Sequence, residues 1–128
     1  MNLQQLNSTY SDLTQYIDIE DGLNRIQKNK KVYGLILNSF VKNTYYGELQ
    51  EQLAKGDLVS AQRAAHTIKG LAANLSLPLI YEISADIDMH LKSGKSNILT
   101  ELEILGDTIN KTVEYIEIVL QNLEEITF

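Results

Sequence analysis

The chain has 128 residues, 44 % of them hydrophobic and 22 % charged, which fits one ordinary domain with enough length for one core. Seventeen acidic against eleven basic residues give a formal charge of −6, so nucleic acid is not expected as a partner, and the one basic cluster (Lys28, Lys30, Lys31) reads as solvation of a helix start. Cysteine is absent, which excludes disulfides and cysteine nucleophiles, and no run approaches the roughly 18 apolar residues of a membrane span, so a cytoplasmic chain without direct membrane contact is expected.

No segment alternates polar and apolar residues as a strand would; the periodicity is helical throughout. A first segment is expected over 3–17, with Leu3, Leu6, Tyr10, Leu13 and Ile17 at helical spacings, and DIEDGLNRI (18–26) reads as a short turn of helix. A long helix is expected over 30–55, marked by Val32, Leu35, Ile36, Phe40, Leu49 and Leu53. KGD (55–57) closes it with a glycine stop and an aspartate able to cap the next helix. That helix, 58–75, is ended by SLP (76–78), because proline disfavours helical geometry in the residue before it. Another follows over 78–92, with Ile80, Ile83, Ile87 and Leu91 on one stripe, and KSGKSN (92–97) ends it. The last, 98–125, carries Leu102, Leu105, Ile109, Val113, Ile116, Leu120 and Leu123. Four substantial helices with short connections predict an all-α, antiparallel up-down-up-down four-helix bundle. Residues 1–17 are an N-terminal helical extension, and 1–128 is read as one domain.

The stretch AAHTIKGLAAN (64–74) is unusual, since a glycine inside a helix costs about 1 kcal/mol relative to alanine. At about 100° per residue, Ala61, Ala64, Ala65, Ile68, Leu71, Ala72 and Leu75 fall opposite His66 as the buried stripe. Val59, Gln62, Arg63, Lys69, Gly70 and Ala73 fall on the side of His66. The imidazole therefore points outward beside a cation, with small residues that let another protein approach. A neutral imidazole forms covalent intermediates, and an exposed one so placed suits phosphoryl transfer between proteins.

AHTIKG with the following AAN resembles the signature of the histidine-containing phosphotransfer (HPt) domains of bacterial multistep phosphorelays. DGLNRIQKNKKVYGLILNSF (21–40) also resembles the segment leading into that family's first bundle helix, so the similarity spans about 18–125. One departure is visible: the family often has glycine ten residues after the histidine, where this chain has Ser76. The resemblance implies that His66 is phosphorylated, that Lys69 stabilises the phosphoryl group and that Gly70 admits the partner. Val59, Gln62, Arg63 and Ala73 would then border the docking face. The implied partners are response-regulator receiver domains, which supply both Mg²⁺ and the acceptor Asp. No cofactor or metal of its own is expected, nor enzymatic activity. A monomer is expected, either free-standing or in cis with a hybrid sensor histidine kinase.

If the break centres on Leu77, antiparallel pairing sets residue 66 level with about residue 88, which is Asp88. A carboxylate there would fix the tautomer of His66; the alternative is that Asp88 only solvates its helix. His90 reads as a packing or surface residue. No ligand spacing supports a metal held by His66, His90, Asp86 or Asp88. The seven tyrosines, Tyr45 and Tyr46 among them, read as core edges and surface, and Glu101, Glu103, Glu114, Glu117, Glu124 and Glu125 as a solvated face. Two rival functions stand beside the phosphocarrier. One is a structural interaction module with an incidental histidine. The other is a histidine-kinase dimerisation domain, which typically has an acidic residue directly after the histidine, where this chain has Thr67.

Overall fold

The computed structural model describes residues 1–127, and every regular element among them is helical. In chain order these are α1 (Leu3–Thr9), α2 (Leu13–Tyr16), α3 (Ile19–Arg25), α4 (Lys30–Lys42), α5 (Tyr46–Ala54), α6 (Leu58–Leu75), α7 (Pro78–Lys92) and α8 (Leu99–Asn122). A 3₁₀ turn (Leu123–Glu125) follows, where the sequence predicted continuing helix. No helix among the described residues is long and apolar enough to cross a membrane.

Two expected helices are each divided. The segment 3–17 breaks after α1, where NSTYSD (7–12) is rich in side chains that compete with helical hydrogen bonds. The Tyr115 hydroxyl donates to the Asp12 carboxylate at that break. The segment 30–55 breaks between α4 and α5. Asn43 Oδ1 accepts from the Tyr45 N–H at 3.0 Å and Thr44 Oγ1 from the Tyr46 N–H at 3.3 Å, which gives the backbone partners outside the helix. Tyr45 itself is left-handed, at φ 66°. The buried stripe of α4 changes accordingly: Tyr33, Leu37 and Phe40 face the core, whereas Val32 and Leu35, expected there, are 38 % and 62 % exposed. α4 packs on α8 and α6, and α5 packs on α6. Lys30 does more than solvate a helix start, since its Nζ donates to the carbonyls of Glu124 and Ile126 at 3.0 and 2.9 Å.

α6 has its predicted bounds. Asp57 caps it through the Ser60 N–H at 3.0 Å, and Ala61, Ala64, Ala65, Ile68, Ala72 and Leu75 are buried. Leu71, expected among them, is half-buried. The small alanines let α6 lie close along α7, the most extensive helix pairing in the molecule. Ser76 forms the turn between them in the left-handed region, at φ 58° and ψ 55°, and the Leu77 N–H donates to the Ala72 carbonyl at 2.9 Å. Pro78 then opens α7 at a position that needs no amide hydrogen. A left-handed residue with a Cβ costs roughly 1–2 kcal/mol. Contacts to α3 offset that cost: Ser76 Oγ donates to Asp21 Oδ2 at 2.5 Å, and the Ser76 carbonyl accepts from the Asp18 N–H at 2.9 Å. The α6–α7 turn is thus pinned from outside the pair.

Candidate functional site

His66 sits in the middle of α6 with its side chain 60 % exposed, and Asp88 lies opposite it on α7 at 3 % exposure. His66 Nδ1 is 3.0 Å from Asp88 Oδ2. The other carboxylate oxygen, Oδ1, accepts from Gln62 Nε2 at 2.5 Å. Two ammonium groups stand just beyond hydrogen-bonding distance: Lys69 Nζ at 3.7 Å from Oδ2 and Lys92 Nζ at 3.8 Å from Oδ1. A buried charge is costly unless it is paired and hydrogen-bonded, and Asp88 has both kinds of partner. Burial pushes its carboxyl up, but hydrogen bonds from Gln62 and His66 and the nearby Lys92 charge outweigh this, so it titrates below the usual carboxylate value.

That balance decides the tautomer. An ionised carboxylate only accepts hydrogen bonds, so the ring nitrogen facing it is the donor. In the neutral ring Nδ1 therefore carries the proton, and Nε2 holds the lone pair. The neutral ring so held presents its lone pair on an exposed face, which is the form a nucleophilic histidine needs.

The neighbours predicted around His66 divide into two groups. Val59 is 63 % exposed, and Arg63 and Gly70 are exposed as well. A β-carbon added at Gly70 would meet nothing within 4 Å, so packing in the free protein does not require this glycine. Gln62, expected on the docking face, instead turns its amide into the α6–α7 seam to hold Asp88. Ala73 lies half-buried toward Asp18, Asp21 and Ser76, on the α3 side.

Asp88 does not merely solvate its helix, since it is buried against His66. Lys92 was not singled out from the sequence. It lines a depression of about 400 Å³ together with Gln62, Arg63, His66 and Thr67. The helix register held the signal for it, because pairing that sets residue 66 level with 88 also sets residue 62 level with 92. His90 is half-buried and pairs through Nδ1 with Glu101 Oε2 at 2.7 Å, while Lys95 Nζ lies 3.3 Å from Glu101 Oε1. Glu101 is therefore part of a cluster and not an ordinary solvated residue. Among the described residues no group of three or more His, Cys, Asp or Glu is placed to hold a metal ion.

The family model described as "Hpt domain" matches residues 43–125, from the break before α5 to the 3₁₀ turn after α8. No curated protein and no solved structure matches the chain.

Proposed function

We propose, for a chain that belongs to the Hpt domain family, that His66 takes a phosphoryl group from an aspartyl-phosphate of one receiver domain and passes it to another. Histidine phosphotransfer in two-component phosphorelays is the family's work, and its members are phosphocarriers rather than kinases. The observation that supports the residue assignment is the His66–Asp88 pair at 3.0 Å with the imidazole on an exposed face, an arrangement that favours Nδ1–H and a free Nε2 lone pair in the neutral ring.

Nε2 attacks the phosphorus of the receiver's acyl phosphate. The bond from phosphorus to the carboxylate oxygen breaks, and the carboxylate leaves with the electron pair. No proton has to leave Nε2, because it carries none. The ring becomes a cation whose Nδ1–H faces Asp88, and the reverse displacement delivers the phosphoryl group to the next receiver Asp. Lys69 stabilises the phosphoryl oxygens by charge-assisted hydrogen bonds. Gly70 leaves room for the partner, and Val59 and Arg63 border the docking face. Mg²⁺ belongs to the receiver, as does the acceptor Asp. On this reading α4–α5, α6, α7 and α8 form an up-down-up-down bundle, within one domain over 1–128. The protein acts in the cytoplasm as a monomer, free-standing or in cis with a hybrid kinase.

The test is incubation of wild type and His66→Gln with a phosphorylated receiver and Mg²⁺, followed by phosphohistidine mapping. Label is expected on His66 of the wild type and absent from the mutant, which stays folded because the side chain is largely outside the core. Label persisting in the mutant, or found on His90, overturns the assignment. No label on either protein leaves the domain as a structural interaction module.

A further inference from the structure

We infer that Lys92 is a second phosphoryl-binding cation, acting with Lys69 from the opposite side of His66. The inference rests on the proposed function and names a residue of that same site. Lys69 lies one turn after His66 on α6, near Asp88 Oδ2, while Lys92 reaches Asp88 Oδ1 from the last turn of α7. Because α6 and α7 run antiparallel, the two ammonium groups bracket the imidazole along the helix axis.

An ordinary i,i+4 ion pair would account for Lys92 beside Asp88, but two observations point further. Asp88 Oδ1 already has its hydrogen bond, from Gln62 at 2.5 Å, and the Lys92 ammonium at 3.8 Å makes none to it. Asp88 thus keeps Lys92 near the site without capturing it. The depression beside His66 is also lined by Lys92 and Arg63 with Gln62 and Thr67, and no carboxylate is among those lining residues. On a protein of net charge −6, this is a locally cationic recess opening on the nucleophile. Lys92 is 57 % exposed on a flexible four-carbon stem, free to swing from Asp88 to an oxygen on Nε2.

The direction of the effect follows from the chemistry of phosphoryl loss. Water attacks phosphorus, the bond from Nε2 to phosphorus breaks, and inorganic phosphate departs while the ring keeps the electron pair and its Nδ1 proton. The transition state is loose and metaphosphate-like, and as the bonding pair goes to the ring the phosphoryl group and its oxygens pass from a dianion toward a monoanion. Cations on those oxygens hold the phosphorylated ground state more than the transition state, so removing one speeds the loss.

The experiment uses phosphoramidate, a small donor that needs no docking surface, and follows phosphohistidine decay in wild type, Lys92→Ala, Lys92→Arg and Lys95→Ala. Lys92→Ala is expected to lose its phosphoryl group about two- to fivefold faster, the range an exposed charge pair supports. Lys92→Arg is expected to restore the wild-type rate. Lys95→Ala removes the same charge beside Glu101 and should decay as wild type does. Thermal melting of each variant reads any purely structural role, and Lys92→Gln replaces the alanine variant if that one melts low. Equal decay rates in wild type and the Lys92 variants, with His66 labelled in all, overturn the inference and leave the phosphocarrier reading intact. Failure of wild type to acquire label on His66 overturns both.

Discussion

Ser76 Oγ donates to Asp21 Oδ2 at 2.5 Å, joining the α6–α7 turn to a helix 55 residues earlier in the chain. Ser76 also holds a left-handed backbone, so the side chain offsets strain that its own Cβ creates.

Two substitutions at Ser76 separate those effects. Ser76→Gly relieves roughly 1 kcal/mol of left-handed strain while losing the hydrogen bond, so its stability should stay within about 1 kcal/mol of wild type. Ser76→Ala keeps the strain and loses the bond, and should be destabilised by about 1–2 kcal/mol. Urea denaturation checks the order. Alanine matching or exceeding glycine would mean that the left-handed strain carries no weight, and alanine matching wild type would mean the same of the Asp21 contact.

Asp88→Asn should slow phosphorylation of His66 while leaving the fold in place. The amide can donate to Nδ1, which moves the ring proton to Nε2 and removes the lone pair from the exposed side. A wrong-tautomer histidine in a hydrolytic triad costs about four orders of magnitude; a smaller loss, about tenfold or more, is expected at this solvent-exposed ring. Nitrogen-15 NMR reads the tautomer directly: Nδ1–H in wild type, Nε2–H in the mutant. A mutant that keeps Nδ1–H and reacts at the wild-type rate contradicts the positioning role.

Asp88 also predicts a pH dependence of stability. Its folded value lies below its unfolded one, because hydrogen bonds and nearby cations outweigh burial. A group of this sign binds protons more readily when unfolded, so its stabilising contribution is present above about pH 4 and is lost as pH falls through the lower folded value. The stability gap between wild type and Asp88→Asn should therefore be flat near neutrality and shrink below about pH 4. A gap that widens on acidification would reverse the sign.

Gly70→Gln should separate stability from transfer. A β-carbon there meets nothing within 4 Å in the free protein, and loss of a helix-interior glycine should hold or raise stability by up to about 1 kcal/mol. Phosphoramidate should still modify His66, whereas transfer from a phosphorylated receiver should fail, because the side chain keeps the reacting atoms beyond the roughly 3–3.5 Å of a near-attack geometry. Normal transfer from the receiver would put the docking face elsewhere.

The bounds of α6 and α7 were legible because KGD and SLP act through the local backbone. The breaks at 10–12 and 43–45 have local signals in NSTYSD and in Asn43 and Thr44, but apolar periodicity runs through both. The remote groups that also hold the chain there are not legible: Tyr115 on Asp12, and the Leu102 carbonyl, which accepts from the Tyr46 hydroxyl at 2.7 Å. Helical periodicity placed His66 on the outer face and register placed Asp88 level with it. It could not give the direction of a flexible side chain. Gln62 lies at a surface angle, yet its amide reaches inward to Asp88, and Lys92 sits in a stretch that reads only as a helix end. The same limit hid the pairing of His90 with Glu101 across the α7–α8 loop.

Asp88 is enclosed and His66 is not, and this partition has a consequence for the evolution of a relay. On the proposed function, a docking receiver would reach the ring and the lysines, but not the carboxylate behind the ring. The carboxylate that would face the Nδ1–H of a phosphorylated ring is thus one that no docking partner would touch. On the same reading, partner choice would fall to exposed positions such as Val59, Arg63 and Gly70. Transfer potential and partner repertoire would then be separable, the outer face being able to diverge toward new receivers while the enclosed carboxylate stays the same.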